Sequence, residues 1–367
     1  MVGVVQTGLR TARTPASSGA LPEEDRRAEH SDAQAGDGHR APRVQRRDCE
    51  RQHRRDRPQH CADNHHGLRI GQRGRQGGRL GRIGLGRIGN DHCRYLNAVA
   101  EVADITDPAD PRVDDFRDLN SVDRRPDLPT GKGLVIAEGV LVVQRMLASR
   151  FAPHAMLGTQ RRLDELAGDL KGVTAPFYRA TAEVMADIVG FHLNRGVLAA
   201  ARRPPELPVA DVIANARTVA VLEGVNDHEN LGSIFRNAAG LGVDAVVFGA
   251  GCADPLYRRA VRVSMGHALL VPFARATAWP SDVKSLRDNG FRILAMTPDP
   301  RARHLAEVME ELSGRKVAVL VGAEGPGLTE TVMRAADERV RIPMAGGTDS
   351  LNVATAAALA FYERTRR

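Results

Sequence analysis

The chain has 367 residues, with 52 lysines and arginines against 45 aspartates and glutamates, a net charge of +7 and a pI near 9.7. That length suffices for two ordinary domains with a remainder, and the basic balance favours a polyanionic partner, although charge governs association and not fold. No stretch approaches the roughly 20 apolar residues of a membrane span, and the N-terminus lacks a signal-peptide core, so a cytoplasmic protein without membrane contact is expected. The four cysteines, Cys49, Cys61, Cys93 and Cys252, have no paired spacing and read as reduced thiols. The positive charge is nearly all arginine, since only Lys132, Lys171, Lys284 and Lys316 are lysines.

Residues 1–92 are rich in Arg, His, Gly and Gln and nearly empty of periodic apolar positions. Such a segment cannot bury enough surface to offset its chain entropy, so it is read as a disordered basic tail, or as an upstream region translated from a misplaced start. Within it, Gly84 to Gly89 matches the G-x-G-x-x-G of dinucleotide-binding folds. It follows no strand and opens no amphipathic helix, and is set aside. The Cys and His residues of the tail lack the close pairs of a zinc site, and no metal is expected.

From Asp107 the composition becomes ordinary. Strands are predicted at Leu134 to Ala137, His154 to Leu157 and Gly196 to Ala201, and helices at Val140 to Arg150, Arg161 to Leu170 and Tyr178 to Val189, making a small α/β unit over residues 107–203. A proline-stiffened linker follows at 204–210. Over 211–367, strands at Thr218 to Leu222, Ala245 to Phe248, Leu270 to Phe273 and Phe291 to Met296 alternate with helices from Leu231, Pro255 and Ser281. This alternation calls for a parallel sheet covered on both faces. The first of these strands runs into L-E-G-V-N-D without a glycine-rich turn, which argues against a Rossmann-type site.

Three segments carry chemistry. Asn230 to Ala238 reads N-L-G-S-I-F-R-N-A, Val317 to Leu328 reads V-A-V-L-V-G-A-E-G-P-G-L, and Arg341 to Ala358 contains I-P-M-A-G-G-T-D-S-L-N. The last two are buried-strand patterns that break into Gly, Pro and small polar residues before a helix, which aims backbone N–H groups at a ligand. On a helix from Leu231, the residues Leu231, Ile234, Phe235 and Ala238 share an apolar face, leaving Asn230, Ser233, Arg236 and Asn237 on the other. Taken alone, the helix favours Asn230 as a cap and Arg236 as a solvated surface residue. Glu324 reads equally as a carboxylate at a helix start, and Ser350 as the cap of a helix over Leu351 to Tyr362.

In order and spacing the three segments resemble the motifs of the SpoU (TrmH-type) RNA ribose methyltransferases of the SPOUT superfamily, over Val219 to the C-terminus. The resemblance implies a parallel sheet with a trefoil knot, a homodimer through that domain, S-adenosylmethionine as donor, and transfer to a ribose 2′-hydroxyl of rRNA or tRNA. It implies catalytic roles for Asn230, Arg236, Glu324, Ser350 and Asn352, and donor contacts from Thr297, Gly322, Gly325, Ile342, Met344 and Leu351. It also implies that Arg236 of one subunit lies near the donor of the other. Arginine is a poor general base, so Arg236 is read as holding an RNA phosphate and stabilising developing alkoxide. The unit at 107–203, through its I-A-E-G and N-R-G-V-L-A segments, is similar to the ribosomal-protein-like RNA-binding domain that many SpoU enzymes carry in front. Two rival readings stand beside this one: a non-catalytic RNA-binding assembly factor, and an RNA base methyltransferase.

Overall fold

A computed structural model describes residues 100–121, 127, 131–346 and 348–366. The basic segment 1–92 and its glycine decoy lie outside these residues. Strands with apolar residues at every position are buried on both faces, and their alternate side chains serve two cores.

The first sheet contains β1 (Val102–Asp104), β2 (Leu134–Glu138), β3 (Pro153–Gly158), β4 (Phe177–Arg179) and β5 (Val197–Arg202), in the order β1-β4-β3-β5-β2. Strand β1 lies ahead of Asp107, where the composition turns ordinary, and pairs in parallel with β4. The helix read from Tyr178 splits in the structure. Phe177–Arg179 is drawn into the sheet by parallel pairing on both sides, and α3 (Ala182–Val189) starts only after Thr181, whose hydroxyl accepts from the Val184 N–H. Helices α1 (Val140–Leu147) and α2 (Gln160–Leu166) complete the unit.

The second sheet is wholly parallel. It contains β6 (Thr218–Glu223), β7 (Ala245–Phe248), β8 (Phe273–Arg275), β9 (Phe291–Met296), β10 (Arg303–His304), β11 (Lys316–Gly322) and β12 (Glu338–Arg341), in the order β10-β12-β9-β11-β6-β7-β8. Ala220 and Leu222 of β6 and Val317, Val319 and Val321 of β11 face one core, while Val219, Val221, Ala318 and Leu320 face the other. Apolar residues of α5 (His228–Gly240), α6 (Arg258–Val263), α8 (Leu305–Glu311) and α10 (Val353–Thr365) fill the first core. Those of α4 (Val209–Ile213), α7 (Asp282–Asp288) and α9 (Glu330–Ala335) fill the second. Helix α4 therefore takes up the end of the segment read as linker.

The first core is continuous with the face of the smaller sheet that carries Val135, Ala137, Met156 and Ala199. Around that seam, Arg258 donates to the buried Glu138 at 2.9 Å, and Arg203 donates to Asp254 at 2.6 Å and to the Asp127 carbonyl at 2.8 Å. Arg203, beside the proline segment, thus locks the two sheets together. Among the described residues, no helix is long and apolar enough to cross a membrane.

Candidate active site

The carboxyl ends of β9 and β11 and the loop after β12 surround a cavity of about 410 Å³, a volume in the range of small-molecule sites. Its floor depends on Gly322. A Cβ there would fall 2.2 Å from the Gly327 carbonyl carbon and the Leu328 nitrogen, so any side chain would displace the loop that folds back over it. The return is a tight turn in which the Gly327 N–H donates to the Ala323 carbonyl at 3.0 Å, with Gly325 and Gly327 at φ of 87° and 70°. Only glycine enters that region without cost. Met296, Val321, Ile342, Met344 and Leu351 supply apolar wall, and Thr297, Gly322 and Gly325 complete the lining. All six residues read as donor contacts line this cavity, as do Glu324, Ser350 and Asn352.

At its rim three side chains form a closed bridge. Asn352 Nδ2 donates to Glu324 Oε1 at 2.8 Å and to Asn230 Oδ1 at 2.7 Å, and Asn230 Nδ2 donates to the same Glu324 Oε1 at 3.0 Å. The amide orientations follow from what surrounds them. Asn352 Oδ1 accepts from the Ala354 and Thr355 N–H groups at 3.0 and 3.1 Å, as the N-cap of α10, so its Nδ2 must face outward to the carboxylate. A carboxylate only accepts, so Asn230 must also present its Nδ2. Both Glu324 Oε1 contacts are thereby fixed, while Oε2 has no hydrogen bond among the described residues.

Two sequence-based readings are corrected here. Ser350 is not the cap of the last helix; Asn352 is, and the helix starts at Val353. Asn230 is not the cap of α5; Asp227 is, accepting from the Glu229 and Asn230 N–H groups. The helix starts earlier than Leu231 because the Asp227 carboxylate satisfies its first N–H groups. Arg236 is on the same helix as Asn230 but six residues on, about 9 Å along the axis. It is exposed, and no hydrogen bond joins it to the bridge among the described residues.

Two further residues support the site. Asn237 Nδ2 donates to the Ala354 carbonyl at 3.2 Å and pins α5 to the start of α10. Glu223, 7% exposed at the end of β6, accepts from Trp279 Nε1 at 2.7 Å, from the Thr329 N–H at 2.7 Å and from its hydroxyl at 3.0 Å. That clamp fixes the point where the glycine loop enters α9. For Glu223 the hint in the sequence was a lone carboxylate closing an apolar strand, which must find donors once buried.

Fold and site together define an α/β ligand-binding domain of the parallel-sheet type, with its cavity at the carboxyl ends of the strands and an amide-bridged carboxylate on the rim. The model of the SpoU rRNA Methylase family matches residues 217–362. A Mycobacterium bovis protein described as an uncharacterized tRNA/rRNA methyltransferase is 75% identical over 255 residues, 70% of this chain and 88% of that protein. The chain belongs to the SpoU methylase family. It is also 28% identical to the 23S rRNA (guanosine-2′-O-)-methyltransferase RlmB of Vibrio parahaemolyticus, over 56% of this chain and 84% of that one. The fold is similar to that of an AdoMet-bound rRNA methyltransferase from Sinorhizobium meliloti, with a TM-score of 0.62 at 24% identity over 72% of this chain and 98% of that one.

Proposed function

We propose that this chain transfers a methyl group from S-adenosylmethionine to a ribose 2′-hydroxyl of rRNA or tRNA. The bridge of Asn230, Glu324 and Asn352 on the rim of a glycine-floored cavity carries this reading. The cavity residues suit the donor: backbone groups at Gly322 and Gly325 approach without side chains, and Ile342, Met344 and Leu351 offer apolar wall to an adenine. When bound, the donor supplies an electrophilic methyl on a sulfonium sulfur.

The residues of the chain orient and deprotonate the acceptor. As the new O–C bond forms and the S–C bond breaks, with its electron pair left on sulfur, the attacking hydroxyl becomes strongly acidic. A carboxylate then suffices as proton acceptor. Glu324 Oε2 takes that proton and passes it to solvent, while Asn230 and Asn352 hold Oε1 and so fix the direction of Oε2. Ser350, on the cavity wall, gives the ribose a further hydrogen-bonding hydroxyl.

Arg236 acts on the RNA phosphate, from the second subunit of a homodimer. The support is its separation from the bridge of its own chain, together with exposed Leu359 and Tyr362 on α10, the helix packed beside α5. Pairing through that face covers apolar surface and carries one Arg236 toward the other cavity. The unit at 107–203 grips RNA while 211–367 performs the transfer, in the cytoplasm. The insertion of β12 between β9 and β10, with α10 returning onto α5 and β11, supports a trefoil-knotted chain.

The test is methyl transfer from labelled donor to deproteinised rRNA and tRNA from a strain lacking the gene, followed by mapping. Label on one ribose is expected. Label on a base would establish the base-methylating reading. No label, with donor binding verified, would move the reading to a non-catalytic RNA-binding role or to a substrate present only in assembling particles.

A further inference from the structure

Between α1 of the smaller unit and α5 of the larger lies a short turn, His267–Leu269, that is held with unusual firmness. Ser264 before it is fully buried, and its hydroxyl donates to the Val261 carbonyl at 2.9 Å and accepts from the Ala268 N–H at 3.2 Å. Met265 has φ of 56° and Gly266 φ of 87°. A left-handed non-glycine residue persists only where its surroundings over-determine it, and such strain gathers at functional positions. Here the surroundings include Arg145 of α1, whose Nη1 donates to the Met265 carbonyl at 2.5 Å. A Cβ on Gly266 would lie 3.3 Å from Arg145 Cβ and Cδ, so the turn and α1 are in close contact.

The turn that carries His267 packs against both α1 and α5, with Arg145 of α1 anchored to its Met265 carbonyl and exposed Arg236 on α5. The arginines of the third packed element, α6, are turned elsewhere. Arg258 and Arg262 meet Glu138 at 2.9 and 3.6 Å, and Arg259 meets Glu229 at 2.5 Å. Burial first, and then Arg145 and Arg236, hold the His267 imidazole below the usual histidine range. Two guanidinium groups, from elements of different sheets, thus disfavour a positive charge on the imidazole at this seam. The hydrogen bond to the Met265 carbonyl accounts for Arg145, but not for a second guanidinium, unpaired among the described residues, and an imidazole at the same seam, which a shared anion would balance.

We propose that Arg145, His267 and Arg236 form a clamp for one backbone phosphate of the RNA, spanning the seam between the two sheets and taking up a proton on His267 as the RNA binds. The inference rests on the RNA-methyltransferase reading and deepens it, since Arg236 connects the clamp to the reacting site of the second subunit. A phosphate held by the arginines offsets their part in keeping His267 neutral and adds an anion beside the imidazole, so RNA binding and protonation reinforce each other. By linkage, uptake of one proton strengthens binding by up to about tenfold for each pH unit of acidification.

Binding of deproteinised total rRNA by the full chain is measured from about pH 7.5 to about pH 6, the interval in which an ordinary imidazole titrates. The wild type should bind more tightly toward acid, and His267→Asn should lose the greater part of that gain while melting normally. His267→Gln serves if the Asn variant does not fold. Arg145→Ala should lower the slope of log affinity against log salt by about 0.7 to 1, the value of one phosphate contact. A purely structural His267 would shift melting and leave the pH profile of binding unchanged. Superimposable pH profiles for the wild type and His267→Asn overturn the clamp, and methyl transfer by the same wild-type preparation then shows that the methyltransferase reading survives it. Failure of the wild type to bind rRNA at all overturns both.

Discussion

Replacing Asn352 by aspartate separates the two tasks of that residue. As the cap of α10 it accepts from two backbone N–H groups, and aspartate caps equally well with a favourable charge at the helix start. As the bridge it donates to Glu324 and Asn230 at 2.8 and 2.7 Å, and a carboxylate donates nothing. Two hydrogen bonds are lost, worth about 1 kcal/mol each. Two like charges at 2.8 Å add about 1.5 kcal/mol even at the dielectric of water. The total of about 3.5 kcal/mol corresponds to a fall of two to three orders of magnitude in rate, at 1.36 kcal/mol per tenfold. Single-turnover methyl transfer and thermal melting are the assays, with Asn352→Ala beside it to lose the cap, at about 1 kcal/mol of stability. Transfer by Asn352→Asp within threefold of wild type would refute the bridge. A drop in its stability matching that of Asn352→Ala would refute the division between cap and bridge.

Arg236→Ala should abolish turnover and leave donor affinity nearly unchanged, as read by calorimetry beside transfer assays; retained activity would remove Arg236 from the site. Gly322→Ala should abolish donor binding, because its methyl would lie 2.2 Å from the returning backbone, and donor titration by calorimetry checks it. Glu223→Ala leaves Trp279 Nε1 and the Thr329 N–H without their acceptor and should cost about 2–6 kcal/mol in denaturant unfolding, at about 1–3 for each stranded donor. Burial pushes the Asp115 carboxyl up, but hydrogen bonds from Lys132 and His154 outweigh it and hold the group below the usual carboxylate range. Because the folded value is the depressed one, its stabilisation is present above the unfolded value of 3.8 and is lost as pH falls through the folded one. Asp115→Asn should therefore lower melting at neutral pH and flatten the acid limb, as followed by melting curves across acid pH.

Local pattern was enough to read most strands of the second sheet, because apolar runs such as Thr218 to Leu222 and Val317 to Val321 have no stable alternative to burial on both faces. It also marked the glycine loop, since several glycines in so short a segment signal close backbone approach. Where two local outcomes differed little, it failed. Tyr178 has an acceptable helical environment in sequence, and only the strands β1 and β3 on either side draw it into a sheet. Ser350 and Asn352 are both good caps, and the choice fell to Asn352 because the loop delivers that residue to the first turn of α10.

The sequence by itself determined the family, the alternation of strands and helices and the residue types of the site, since each is written in contiguous segments. Only the tertiary structure decided how those residues act on one another. The bridge joins Asn230 to Glu324 across 94 positions and to Asn352 across 122, and Glu223 meets Trp279 and Thr329 across 56 and 106. Hydrogen-bond geometry over such separations depends on the register of a parallel sheet and the packing of α5 against α10. Those are properties of the assembled core, set by the summed burial of many residues, and no local window of the chain contains them.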